Sequence, residues 1–258
     1  MSVYSTCAFC GRNDSPRSRE HVFADWIARE FPPDWIRRDA ATGKSISLRN
    51  TLGLVCRRVC QRCNNGWMRE LESAAKPILT SLIHATRRTP LTLNDQIKIA
   101  RWFTKTSYAY DLTQKRSRES WFTADDRLAL ATKHFIKRDT AIFIAQYVGA
   151  MATMTAMEDS GLHRPKNQQL PSTGHWYCHT VLINHLALQI FTFRRAEHLA
   201  GEELGFGIPV IWDRAALQLC LGTRSLDWPP ATCLDDRNIK TFAARFSSGF
   251  DIALKRPL

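Results

Sequence analysis

The sequence contains no apolar run that approaches the roughly 20 residues needed by a membrane-spanning helix. It also lacks a basic segment followed by an apolar core at its N-terminus, so we expect no secretory signal peptide and a cytoplasmic protein. No internal repeat and no low-complexity segment is found. The 258 residues, 44% of them hydrophobic and 23% charged, are typical of a soluble globular protein with one large domain or a small module joined to a larger one.

Acidic residues are scarce: 24 Asp and Glu stand against 36 Lys and Arg, which gives a net charge of +12 and a pI of about 9.6. The excess is densest in residues 1–90, with 15 Lys and Arg against 8 Asp and Glu. A basic surface of this kind favours a polyanionic partner, DNA first, with RNA not excluded. A solvated basic face without a partner is the alternative.

Four of the eight cysteines form two CxxC pairs, Cys7 with Cys10 and Cys60 with Cys63. In a chain of this size without a signal peptide, such spacing favours a metal site over disulfides. Two CxxC pairs supply the four thiolates of a closed tetrahedral zinc site. We therefore predict a structural zinc ion bound by these four cysteines.

Apolar spacing and turn residues predict an α+β chain. The first part contains a helix over residues 20–31, ended by two prolines, strands within 45–56, and a helix from Gly66 that Pro77 interrupts. Beyond residue 78 the pattern predicts two helices, over residues 94–112 and 124–137, a strand over 140–149 and a loop over 158–174. It also predicts a β-hairpin over 175–194 with its turn at Asn184-His185.

A Glu-His dipeptide, Glu20-His21, lies between the two CxxC pairs, and Asn64-Asn65 follow the second pair directly. With these motifs, residues 7–72 resemble the HNH, or His-Me finger, nucleases of the zinc-knuckle type. The words SREHVFADW and CNNGWM are especially similar to one bacterial branch of that superfamily. The resemblance implies an N-terminal ββα-metal finger over residues 1–77. A mixed domain of helices and a β-hairpin, residues 78–258, shows no such resemblance.

The resemblance implies a metal-dependent endonuclease that hydrolyses DNA phosphodiester bonds. His21 would be the general base that activates water, because imidazole titrates near neutral pH. Glu20 and Asn64 would hold a catalytic Mg²⁺ or Mn²⁺ ion. A role in bacterial or phage defence, or in a mobile element, is expected with it. The basic residues next to the second CxxC pair would bind the phosphate backbone without reading sequence: Arg57, Arg58 and Arg62.

The chain departs from the family pattern at two places. Glu20 stands where the family more often has Asp, and Glu is one methylene longer. The Asn that orients the catalytic His normally lies just before the second CxxC pair, and the nearest here is Asn50, at an unusual distance. Asn65 is an alternative to Asn64 as the metal ligand.

Two other functions remain open. One is a catalytically silent zinc module that binds nucleic acid or a protein, and the other is a zinc-stabilised adaptor without a nucleic-acid role. For residues 78–258 we weigh target choice, homodimerisation or binding of a regulatory protein against a simpler role. That simpler role is completion of the finger's hydrophobic core, because a finger of this size has little core of its own.

Overall fold

The computed structural model describes residues 5–30, 36–38, 45–47, 52–88, 90–114, 120–133, 136, 139–159, 174–195, 203–205, 215–220, 224–245 and 253–255. It has both helices and antiparallel sheets, as the α+β prediction required. Contacts divide the chain into two units. The first unit comprises Met1–Ala74 and Thr104–Ile136, and the second comprises Ala75–Phe103 and Lys137–Leu258. The predicted domain boundary after residue 77 stays a prediction.

The first unit starts with short elements connected by turns. Strand β1 pairs antiparallel with β4, and β2 pairs antiparallel with β3. Helix α3 continues from the first unit into the second. In chain order the elements are β1 (Glu20–His21), α1 (Asp25–Arg29), β2 (Ile36–Arg38), β3 (Ser45–Ser47), β4 (Val55–Cys56), α2 (Gln61–Cys63) and α3 (Arg69–Ile83).

The helix predicted over residues 20–31 is wrong at its start. Glu20 and His21 form β1 because their backbone pairs with Cys56 and Val55 of β4. The helix itself is α1, which begins only at Asp25 and buries Ile27 and Ala28. The apolar residues Val22 and Phe23 of this segment are buried next to the β1–β4 pair and do not form an additional helical turn.

The polypeptide from Gln61 to Ile83 is helical apart from a kink. Between α2 and α3 lies a distorted turn, Asn64–Met68, in which Gly66 leaves helical geometry at φ −95° and ψ −116°. The predicted interruption at Pro77 does not occur, since α3 continues through it to Ile83. Burial of Ala75, Ile78, Leu79 and Leu82 on the apolar face of α3 outweighs the cost of the proline.

Two further helices begin at reciprocal caps. Helix α4 (Leu93–Asp111) is preceded by Thr92, whose Oγ1 accepts the Asp95 N–H at 3.2 Å while Asp95 Oδ2 accepts the Thr92 N–H at 3.2 Å. Helix α5 (Ala124–Lys133) starts in the same way from Thr123 and Asp126. Both helices and both starts agree with the sequence prediction, because a cap depends on residues only three positions apart.

The second unit contains a five-stranded antiparallel sheet of order β10-β5-β8-β7-β6 and a short β9–β11 ribbon. The chain-order bounds are β5 (Thr140–Gln146), β6 (Thr153–Asp159), β7 (Gly174–Ile183), β8 (Leu186–Arg195), β9 (Glu203–Gly205), β10 (Ala216–Gln218), α6 (Ile239–Ala244) and β11 (Ala253–Lys255). Aromatic residues of the sheet, of the position directly after β5 and of α6 are buried together: Phe143, Phe191, Phe193, Tyr147 and Phe242.

The predicted hairpin is confirmed: β7 and β8 pair along their length, and Asn184 turns between them with φ 50°. Strand β6 was not predicted, and its last two residues, 158–159, overlap the loop expected over 158–174. Residues 160–173 lie outside the described part of the chain, and Gly174 begins β7. Within the described residues, no helix combines the length and apolar character needed to cross a membrane.

Candidate functional site

The four sulfurs of Cys7, Cys10, Cys60 and Cys63, called here the four-cysteine cluster, lie within 4.8 Å of one another. The Cys7 and Cys63 sulfurs are 4.0 Å apart, and the Cys10 and Cys60 sulfurs are 3.8 Å apart. A regular tetrahedron with Zn–S bonds of about 2.3 Å has sulfur–sulfur edges of about 3.8 Å. The four cysteines can therefore hold a zinc ion.

Local backbone geometry brings each CxxC pair into shape. Gly11 donates its N–H to the Cys7 carbonyl at 3.0 Å and has φ 69°, a conformation that glycine adopts without strain. The Cys60 N–H points at the Cys7 sulfur at 3.3 Å. The two pairs are also joined through Ala8, whose N–H donates to the Arg58 carbonyl at 2.9 Å.

Within the cluster, the sulfur of Cys7 is favoured as a thiolate. The Cys63 thiol hydrogen bonds to Cys7 and lowers the pKa of Cys7 to about 4, against the opposing effect of burial. The same contact raises the pKa of Cys63, because it stabilises that residue as the proton donor. A metal ion removes this division of roles, since it binds all four sulfurs as thiolates and releases their protons.

The residues that precede strand β1 pair with residues at the start of the second CxxC pair. Ser18, just before the strand, donates its N–H to the Val59 carbonyl at 2.8 Å, and Arg17 bridges Cys60. Within β1 the two predicted site residues alternate in environment: Glu20 is buried and His21 is half-buried. The imidazole of His21 is thus accessible in part, and the Glu20 carboxylate is not.

Asn64 follows the last cysteine of the cluster in sequence and is the first residue after α2. Its N–H donates to the Cys60 carbonyl at 3.0 Å, and its side chain is half-buried, whereas Asn65 is exposed. Asn50, expected to orient His21, lies outside the described residues. The backbone of Asn64 is thus bonded to Cys60, the residue that Arg17, three positions before β1, also bridges.

Glu20 has a partner that the sequence did not predict. Lys105 of α4 donates from Nζ to Glu20 Oε1 at 2.8 Å and to Glu72 Oε1 at 2.7 Å. These three residues form the carboxylate–lysine triad. Burial alone would lower the pKa of Lys105, but the two carboxylate charges and their hydrogen bonds outweigh it and raise the pKa above its ordinary value. Lys105 is therefore an ammonium ion.

Glu20, one of the residues expected to hold a catalytic Mg²⁺ or Mn²⁺ ion, does not fit one as it is arranged. The side chain of Glu20 is 4% exposed, and its Oε1 is already bonded to an ammonium group. Mg²⁺ keeps several water molecules when it binds to protein, and a carboxylate without solvent access leaves no space for them. Within the described residues, the four-cysteine cluster is the one group of three or more His, Cys, Asp or Glu side chains placed to hold a metal ion.

The predicted phosphate-binding arginines surround the second CxxC pair. Arg57 and Arg62 are exposed, and Arg58 is half-buried. Arg62 forms an ion pair with Asp14 at 3.2 Å, and both side chains are largely in water, with 53% and 43% exposure. Such exposed pairs contribute little and are screened by salt, so a phosphate group can replace Asp14 as the partner of Arg62.

No protein-family model, curated protein or solved structure significantly matches this chain. The resemblance to the HNH nucleases therefore depends on the motif residues themselves.

Lys105 and Arg127 are the site residues that sequence reasoning missed. Arg127 of α5 is buried and donates from Nε to the Ala8 carbonyl, inside the first CxxC pair, at 2.8 Å. Lys105 shares a helix face with Tyr108, Ala109 and Leu112, all buried. A charged residue on an apolar helix face needs a buried partner, and this was the one available signal.

Proposed function

We propose that this protein is a zinc-containing HNH-type endonuclease that hydrolyses DNA phosphodiester bonds, with His21 as the general base. The observation that supports it most is a shared attachment point. Arg17, three residues before strand β1, forms an isolated antiparallel bridge with Cys60 of the four-cysteine cluster, and the Asn64 N–H donates to the Cys60 carbonyl. Residues that are distant in sequence thereby belong to one zinc-stabilised finger.

The chemistry requires a base near a bound phosphate. Neutral imidazole accepts a proton from water as the water oxygen attacks phosphorus, the bond from phosphorus to the 3′-oxygen breaks, and the leaving oxygen is protonated. His21 is half-buried, so the residue is partly accessible to solvent water. Arg57, Arg58 and Arg62 supply positive charge for the backbone, which carries most of the affinity in nonspecific DNA binding.

The requirement for Mg²⁺ or Mn²⁺ stays a prediction from the resemblance. Such an ion would stabilise the leaving oxygen. Because Glu20 is bonded to Lys105, we assign no step to it as a cation ligand. A homodimer, a regulatory partner and a role in defence or in a mobile element likewise stay predictions.

Replacing His21 with Ala is expected to lower the rate of plasmid nicking in Mg²⁺ or Mn²⁺ by about 10²–10⁴-fold, the contribution of a positioned general base. The change removes the base without touching the cluster, so zinc content and DNA binding stay those of the wild type. The matched control is His84→Ala, since His84 is an exposed histidine at the end of α3 and outside the proposed site. Equal cutting by the wild type and His21→Ala would refute the assignment.

A second candidate is a catalytically silent zinc module that binds nucleic acid or a protein. The burial of Glu20 against Lys105 favours it, because the carboxylate expected to bind the cation is not open to solvent. This candidate predicts salt-dependent DNA binding by the wild type without cleavage in any divalent metal.

The combined variant Arg57→Ala, Arg58→Ala and Arg62→Ala is expected to weaken binding to all duplex sequences alike. Each lost phosphate contact reduces the slope of log K against log salt by about 0.9, so the three together flatten it by up to about 3. Fluorescence anisotropy with two unrelated duplexes over a range of salt concentrations measures both effects. Arg237→Ala, an exposed arginine of the second unit, is the control. A loss confined to one duplex would indicate base readout instead.

A further inference from the structure

Lys105 is a charged ammonium group that is fully buried in the protein. Its side chain is 0% exposed, and its two bonded partners differ in exposure, with Glu20 at 4% and Glu72 at 24%. A buried charge is stable only when opposite charge and hydrogen bonds compensate for lost water, and each contact to Nζ is a charge-assisted hydrogen bond. One positive group thus holds two negative groups from different elements.

The two carboxylates belong to the elements that carry the proposed site. Glu20 precedes His21 in β1, and Glu72 lies in α3, which follows Asn64 along the same helical segment. Lys105 in α4 therefore ties the strand of the proposed base to the helix beyond the second CxxC pair. Strand β1 has only two residues and needs such a tie, because so short a ribbon is weak alone.

A divalent cation and Lys105 compete for the same carboxylate. Hard cations bind carboxylate oxygens at about 2.0–2.6 Å, and a second positive centre at that distance from Glu20 would repel the ammonium group. The low exposure of Glu20 also keeps out the water that accompanies Mg²⁺.

We propose that Lys105 is a positioning residue of the site: it occupies the place at Glu20 that a divalent cation would take, and it ties β1 to α3 so that His21 is held in a fixed orientation. The role in orienting His21 depends on the proposed function. The identity of the partner of Glu20 does not.

Glu20→Gln and Glu72→Gln form the matched pair of variants for the test. Each leaves Lys105 bonded to one carboxylate, a neutral buried pair, so both keep their fold, and zinc content verifies it. Electron paramagnetic resonance then measures Mn²⁺ binding. If Lys105 is the partner of Glu20, both variants bind Mn²⁺ with the affinity of the wild type. A wild type that binds no Mn²⁺ supports the proposal equally. Weakening by about tenfold or more in Glu20→Gln alone would overturn the proposal.

Hydrogen exchange tests whether Lys105 ties β1 to α3, and it does not require an activity assay. The Val22 N–H, bonded to the Leu54 carbonyl at 2.9 Å, is expected to exchange about tenfold faster in both variants. The Gln61 N–H, bonded to Pro16 beside the cluster, is expected to keep its wild-type rate. Unchanged exchange at Val22 in both variants would overturn the tie.

Nicking kinetics connect the tie to the reaction. Both variants are expected to lose about tenfold in turnover at unchanged DNA affinity, because misplacement of a base lowers the chemical step and not binding. Asp95→Ala, which removes a helix cap and an ion pair with Arg87 in the second unit, should lower the melting temperature without changing turnover. Unaltered turnover in the two Glu variants would overturn the positioning role. If the wild type does not cut DNA, the proposed function fails. The Mn²⁺-binding and hydrogen-exchange measurements then still decide whether Glu20 pairs with Lys105 or with a divalent cation.

Discussion

The protein with Cys63→Ser is expected to lose its zinc and to unfold its first unit at temperatures at which the wild type is folded. Serine supplies no thiolate, so the remaining three cysteines hold zinc weakly, and in small zinc units the binding free energy is folding free energy. A loss of several kcal/mol lowers the melting temperature of a chain of this size by about 10–15 °C. Metal analysis, expected at about one zinc per wild-type chain, and thermal melting measure both effects.

The control for this experiment is Cys220→Ser. Cys220 is an exposed free thiol of the second unit and is not part of the cluster. Its replacement should leave zinc content and melting unchanged. Unchanged zinc content and melting in Cys63→Ser would refute zinc binding by the four cysteines.

Replacing Lys105 with Met is expected to destabilise the first unit by about 3–5 kcal/mol. The methionine fills a similar volume but leaves two carboxylates without their ammonium partner, and breaking a buried ion pair from one side leaves uncompensated charge. The loss is much larger than the effect of a typical surface substitution. The measurement is the denaturant concentration at which the protein releases zinc, because the zinc ligands belong to the same unit.

A triple variant isolates the cause of this destabilisation. Lys105→Met together with Glu20→Gln and Glu72→Gln removes all three charges and is expected to recover most of the lost stability, since neutral replacement of a buried ionic group is often tolerated. Zinc release from Lys105→Met at the wild-type denaturant concentration would show that the carboxylates do not depend on Lys105.

Features fixed by near neighbours in the chain were predictable. The two CxxC pairs, the caps at Thr92 and Thr123, and the turn at Asn184 each depend on a few consecutive residues whose chemistry permits one local geometry. For the same reason the α+β class and the positions of α4, α5, β5, β7 and β8 followed from spacing. In the candidate site, the four cysteines were predicted from spacing, and the structure brings their sulfurs together.

Features set by distant partners required the tertiary structure. Residues 20 and 21 were predicted as helix because their spacing is helical, but pairing with β4 makes them a strand. Pro77 was expected to interrupt a helix, but α3 continues through it because its apolar face is packed. In both cases burial and long-range pairing exceed local propensity, which amounts to about 1 kcal/mol per residue for ordinary residues.

The sequence alone determined that this protein has two CxxC pairs, a net charge of +12 and a Glu-His dipeptide between the pairs. The tertiary structure alone decided what Glu20 faces. Lys105 lies 85 positions from Glu20 and 33 from Glu72 along the chain. No periodicity links residues so far apart. Their association comes from the high cost of burying an ammonium ion without opposite charge, and that cost exists only once the chain has folded.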